Sequence, residues 1–95
     1  MSTLHLIRTS AFADTNLAQC AQLLAKHDAI LLLDDGCYNL KHPSIATISE
    51  QQIDIFVIEH HYLARGLALA PQSKSIVIED IPELMLNYKQ SITWQ

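Results

Sequence analysis

The stretch Ala29-Ile30-Leu31-Leu32-Leu33-Asp34-Asp35-Gly36 decides the fold, because an unbroken apolar run meets an abrupt polar turn there. Apolar and polar side chains do not alternate over residues 29–33, so both sides of this segment must be covered. Such a pattern is typical of a central strand in a parallel sheet. The two aspartates and the glycine then end the strand, since these residue types favour turns.

The segments around this run alternate between strand patterns and helix patterns. Further strands are predicted at residues 3–8, 53–58, 75–78 and 91–94. A first helix is predicted over roughly residues 15–27, with Asp14 or Thr15 as its cap. Its apolar stripe consists of Leu17, Cys20, Ala21, Leu24 and Ala25.

Two helical segments are predicted further along the chain. Residues 59–66 predict a helical turn that Gly66 closes. The segment Asp80-Ile81-Pro82-Glu83 matches a capping box at the start of a last helix. The buried stripe of that helix would be Ile81, Leu84, Met85 and Tyr88. The order of elements predicts an α/β fold with a small, mostly parallel sheet flanked by helices.

Length and composition predict one domain over residues 1–95. They also indicate that part of its surface is buried against a partner protein. Only 17% of the residues are charged and 49% are hydrophobic, whereas about 25% charged is usual. We therefore expect part of the surface to be buried against a partner. The net charge of −4 makes direct binding to nucleic acid unexpected. The longest apolar run, Ala29 to Leu33, is far shorter than the roughly 20 residues that span a bilayer, so no membrane segment is expected. The beginning of the chain shows no secretion signal, so a cytoplasmic location is expected.

The two cysteines are candidate reactive groups, although they do not form a Cys-x-x-Cys motif. Cys20 lies on the apolar stripe of the first helix, where a small buried hydrophobic residue is the more frequent role. Cys37 follows the acidic turn at the carboxyl end of the central strand. Neighbouring carboxylates raise the pKa of a thiol and reduce the fraction that is a thiolate nucleophile.

The remaining candidates lie where strands end. His60 and His61 follow a predicted strand, as Asp35 and Gly36 do, and open parallel sheets place ligands at that edge. Five histidines without metal-ligand spacing indicate no metal site, and two glycines cannot build a phosphate-binding loop, so no cofactor is expected. Arg65 would be a surface cation. Trp94 predicts docking onto the domain or onto a neighbour.

Taken together, four segments resemble the DsrH/TusB family of sulfur-relay subunits. They are residues 4–10 (LHLIRTS), 30–36 (ILLLDDG), 58–67 (IEHHYLARGL) and 92–94 (ITW), and their order covers nearly the whole chain. The resemblance implies a DsrEFH-like three-layer sandwich. It also implies assembly with DsrE/TusD-like and DsrF/TusC-like sister subunits, commonly as a dimer of heterotrimers. The partner-facing candidates in this sequence are Asp35, Gly36, His60, His61, Arg65 and Trp94.

The resemblance implies two possible roles for Cys20. In the Tus branch, the complex passes persulfide sulfur towards 2-thiouridine at the tRNA wobble position, and a TusD-type sister subunit holds the carrier cysteine. In the Dsr branch of sulfur oxidisers, the H subunit usually has its own cysteine in the first helix, where Cys20 falls. Cys37 stands where the family usually has an aliphatic residue, so no family function is assigned to it.

We therefore expect a structural subunit of a sulfurtransferase complex that is not itself the catalytic subunit. One alternative is a DsrH-type subunit whose Cys20 carries sulfur. Another is a stand-alone α/β domain that binds a small ligand with the strand-end loops at residues 34–36 and 59–61.

Overall fold

The computed structural model describes residues 2–94 of the chain and contains a five-stranded sheet. The strands are β1 (Thr3–Ile7), β2 (Ala29–Leu32), β3 (Asp54–Ile58), β4 (Ser73–Ile76) and β5 (Gln90–Trp94). The α-helices are α1 (Asn16–Leu23), α2 (Pro43–Glu50), α3 (Glu59–Ala64) and α4 (Ile81–Leu86). Two 3₁₀ helices occupy Asp34–Lys41 and Ile78–Asp80.

The sheet confirms the predicted central position of the apolar run. Its strand order is β4-β3-β2-β1-β5, and every neighbouring pair is parallel. All four residues of β2 are buried, because strands lie on both sides of it and other elements cover both faces. The α/β class is therefore confirmed, with a sheet that is entirely parallel.

Helices cover the two faces of the sheet unequally. The first face is buried beneath α1, α2 and α3, and its strand residues include Ile7, Ile30, Leu32, Ile55 and Val57. The second face is covered mainly by the segment around α4, and its strand residues include Leu4, Leu31, Phe56 and Ile58. The result is the expected three-layer arrangement, in which the second face is the thinner side.

Strand β5 forms one edge of the sheet. The Trp94 carbonyl accepts from the Arg8 amide at 3.4 Å, and the Gln90 amide donates to the Ser2 carbonyl at 3.3 Å. Residues 90, 92 and 94 therefore direct their backbone groups towards β1. The intervening Ser91 and Thr93 direct theirs outward, and both are exposed. This strand contains neither a charged residue nor proline to protect its edge.

The first helix is shorter than the sequence predicted, since it ends at Leu23 rather than near residue 27. Leu24 is extended, and the carboxylate of Asp28 accepts the Ala25 amide at 3.0 Å. Because the Asp28 carboxylate accepts the Ala25 N–H, this amide does not need a hydrogen bond within the helix, and the helix ends early. At the other end, Asp14 accepts from the Asn16 amide at 3.0 Å, while Thr15 makes no side-chain cap bond.

The predicted capping box at the last helix was wrong. Asp80 has helical backbone angles and makes no side-chain cap hydrogen bond, because a 3₁₀ turn leads directly into α4. The predicted strand at residues 75–78 lies two residues earlier, at Ser73–Ile76, in register with β3. Met85, expected in the buried stripe, is exposed, whereas Ile81, Leu84 and Tyr88 do pack on the second face.

Candidate functional site

The carboxyl ends of three neighbouring parallel strands meet at one edge of the sheet, as the sequence indicated. This strand-end cleft has a volume of about 360 Å³ and is lined by Arg8, Thr9, Asp34, Asp35 and Arg65. The first two residues follow β1 and the two aspartates follow β2. Arg65 is the residue that ends α3, the helix directly after β3.

A hydrogen bond holds the His61 ring beside Asp34 at one end of this cleft. The Asp34 backbone amide donates to His61 Nδ1 at 2.9 Å. Nδ1 must therefore carry a lone pair, which places the hydrogen of the neutral ring on Nε2. Asp34 has φ of +52°, an uncommon backbone angle for a residue other than glycine. Its carboxylate in turn accepts from Arg8 Nε at 2.8 Å.

A second arginine–aspartate pair lies at the other end of the cleft. Arg65 donates from Nε to Asp35 Oδ1 at 3.2 Å, and its Nη2 lies 3.1 Å from the same oxygen. Its Nη1 donates to the His61 carbonyl at 3.1 Å, which joins α3 to this pair. Each cation is thus matched by its own carboxylate. The cleft offers charged groups of both signs for recognition, and neither cysteine is among its lining residues.

The other predicted partner-facing residues differ in their exposure to solvent. His60 is exposed, but Gly36 is buried, and its N–H donates to the Leu33 carbonyl at 2.9 Å. Trp94 is half-buried on the first face, where its indole Nε1 donates to His5 Nδ1 at 3.1 Å. The tryptophan therefore docks onto its own domain, one of the two outcomes that the sequence left open.

His5 belongs to a buried group that sequence reasoning missed. Its Nε2 lies 3.3 Å from Asp28 Oδ2, and the same carboxylate accepts from the backbone amides of Thr3 at 2.9 Å and Ala25 at 3.0 Å. Because Trp94 donates to Nδ1, His5 must be the tautomer that carries its hydrogen on Nε2. The only feature of the sequence that could have indicated this group is Asp28, an aspartate directly before the central strand.

Asn39 is a second residue that sequence reasoning missed. It is fully buried, and its amide group accepts from the Ala11 N–H at 2.6 Å and donates to the Thr9 carbonyl at 3.1 Å. It thereby fixes the loop that follows β1, including the Thr9 side of the cleft. An isolated asparagine in a mixed segment carries no pattern that would have indicated this role.

Both thiols are fully buried, with 0% exposure. Burial raises the pKa of Cys20 to about 12, and the nearby Asp28 carboxylate acts in the same direction. Burial also raises the pKa of Cys37 to about 12, against the opposing charge of Arg65. The Cys37 thiol lies 3.8 Å from the Leu32 carbonyl, to which it donates. Neither environment stabilises the thiolate that attacks a persulfide.

The burial of both thiols leads to a test of their reactivity. An ordinary thiol has a pKa of 9.0, whereas both thiols here have a pKa of about 12. In the folded protein below pH 9, neither cysteine should react readily with a thiol-specific disulfide reagent, because both thiols stay protonated and buried. Both should react once guanidinium unfolds the chain. Incubation with a persulfide donor should leave the intact mass unchanged. A gain of about 32 Da that Cys20→Ser abolishes would instead identify Cys20 as a sulfur carrier.

Two further features are absent from the described part of the chain. Within residues 2–94, no helix has the length and apolar content needed to cross a membrane. In the same range, no three His, Cys, Asp or Glu side chains come together in a way that could hold a metal ion.

The fold and the strand-end cleft define a small parallel α/β protein whose two thiols are both buried. The family model of the DsrH-like proteins matches residues 9–91, so the chain belongs to that family. Members of the family work in sulfur-relay complexes of the DsrEFH type. A search of curated proteins found no match.

Proposed function

We propose that this chain is an assembly subunit of a cytoplasmic sulfurtransferase complex and that a sister subunit carries the persulfide. The observation that carries this proposal is the burial of both cysteines. In such a relay, a thiolate attacks the outer sulfur of a donor persulfide. A new sulfur–sulfur bond forms, the donor's bond breaks, and the donor leaves as a thiolate. A carrier must therefore present an accessible thiolate.

The environment of Cys20 favours the branch of the relay that leads to tRNA. A sulfur-oxidation subunit would use a cysteine in the first helix, yet the thiol at that place is covered and its pKa is raised. We therefore assign the chain to a complex that passes sulfur towards 2-thiolation of the tRNA wobble uridine. The net charge of −4 makes a sister subunit the better candidate for contacting the tRNA.

The partners that fit this role are DsrE/TusD-like and DsrF/TusC-like subunits, arranged as a dimer of heterotrimers. The strand-end cleft supports such a role because both of its ion pairs are partly exposed. Exposed pairs contribute little to the stability of a monomer, at most about 1 kcal/mol each. Their polar groups, together with the exposed His60, are therefore available for contacts between subunits.

Co-expression of the tagged chain with its two sister subunits tests the proposed assembly. We expect all three proteins to be recovered together, and native mass spectrometry should give the mass of two copies of each. The persulfide mass gain should appear on the TusD-type subunit and not on this chain. Recovery of the tagged chain as a free monomer, with both sister subunits expressed and folded, would refute the proposal.

A further inference from the structure

The segment around α4 exposes four large apolar side chains within ten residues of sequence. Val77 and Ile78 precede the helix, Met85 and Leu86 end it, and all four are exposed. Leu86 is the extreme case, with 85% of its surface accessible. We call these four residues the α4 ridge. Clustered exposed apolar side chains mark surfaces that contact another protein.

A small cleft lies in the same segment of the chain, and its lining residues alternate in sequence with those of the ridge. The cleft has a volume of about 250 Å³, and its lining consists of Ile76, Asp80, Glu83, Leu84 and Asn87. The isoleucine and the leucine supply apolar walls, since both belong to the partly buried layer on the second face. The two carboxylates supply negative charge. This α4 cleft therefore combines an apolar interior with an acidic rim.

The carboxylates of the α4 cleft have no partner among residues 2–94. Asp80 makes no cap hydrogen bond, and neither Asp80 nor Glu83 forms an ion pair or a side-chain hydrogen bond within that range. Residues 75–87 contain no lysine, arginine or histidine. The preceding cation, Lys74, already contacts Asp54 at 3.1 Å. The negative charge is therefore available to a group from outside the chain.

We infer that the α4 cleft and the α4 ridge dock a partner protein that presents a lysine or arginine between apolar residues. The aliphatic stem of that side chain would pack on Ile76 and Leu84, and its cationic end would meet Asp80 and Glu83. Apolar neighbours of the cation would cover the ridge. The inference rests on the proposed function, since it makes the partner a sister subunit of the complex.

A second copy of this chain is the poorer occupant. A twofold contact places the same patch on both subunits, so the acidic rim would face its own copy. Like charges brought together at an interface cost several kcal/mol. Residues 75–87 contain no basic residue to relieve this repulsion, and the next cation along the chain is Lys89.

Three variants of the chain test the docking surface in co-expression with the sister subunits. The double variant Asp80→Asn/Glu83→Gln removes the negative charge, and Leu86→Ser removes the most exposed apolar side chain of the ridge. Glu50→Gln is the matched control, because Glu50 is an exposed carboxylate at the end of α2. The readouts are complex recovery, the dissociation constant at low and high salt, and the melting temperature of each free chain.

We expect the double variant and Leu86→Ser each to weaken binding about tenfold or more. Only the double variant should also lose salt dependence, because it removes the charge contribution. The control should bind as the wild type does, and all melting temperatures should stay within a few degrees. Wild-type binding with both test variants within about twofold would overturn the docking surface alone. No wild-type binding at all would overturn the proposed function with it.

Discussion

Replacing Gly36 by alanine is expected to cost at least about 3 kcal/mol of unfolding free energy. A Cβ atom at this position would overlap the carbonyl oxygen of Ile7 and lie 2.8 Å from its carbonyl carbon. Both atoms belong to the backbone of β1, in the interior of the sheet, so they cannot move aside as a flexible side chain would. The same Ile7 carbonyl accepts from the Leu33 amide at 3.1 Å, and this bond would be disturbed as well.

Thermal and urea unfolding would measure this loss, with an expected fall in Tm of about 12 °C or more for a chain of this size. Gly66→Ala is the matched control, because Gly66 has φ of +66° but open space where its Cβ would lie. It should lose only about 1 kcal/mol, through backbone strain alone. Equal losses in the two variants would show that the close approach at Gly36 does not matter.

Replacing Asp28 by alanine is expected to cost about 3–5 kcal/mol. The change would leave the amide hydrogens of Thr3 and Ala25 and the Nε2 hydrogen of His5 without their acceptor. Both Thr3 and His5 are buried, so water cannot replace the carboxylate freely. The ring of His5 would also lose the acceptor that holds its orientation, which weakens the hydrogen bond from Trp94.

Urea unfolding and the fluorescence of Trp94, the single tryptophan, would follow this change together. Asp54→Ala serves as the control, because Asp54 is exposed and its pair with Lys74 at 3.1 Å lies on the surface. That control should change stability by no more than about 1 kcal/mol and leave the fluorescence unaltered. An Asp28→Ala protein as stable as this control would contradict the structural role of the carboxylate.

The fold could be predicted where burial dictates the sequence pattern. The unbroken apolar run over residues 29–33 can be covered on both sides only in the middle of a sheet, and β2 lies there. On the thinner second face the pattern is less informative. Val77 and Ile78 read as strand residues because they are β-branched, yet they leave the sheet and stay exposed. An apolar side chain that stays exposed therefore cannot be told from a core residue by its type alone.

The candidate site could be predicted in part for the same kind of reason. Parallel strands end at one edge, so the proximity of Asp34, Asp35 and His61 follows from topology. The pairing of Arg8 with Asp34 and of Arg65 with Asp35 depends on loop conformations that no local pattern encodes. Asp28 and Asn39 were missed because each acts on backbone groups distant in sequence, which leaves no periodic signal.

The pairing of β1 with β5 also orders events during synthesis. One edge of β1 can join β2 as soon as residues 29–32 have emerged from the ribosome. Its other edge must wait for a strand whose residues lie 87 positions later in the chain. Contacts at such separation close slowly, since a long loop must be ordered first. The nascent chain therefore carries an open β1 edge until the arrival of β5, which also brings Trp94 onto His5.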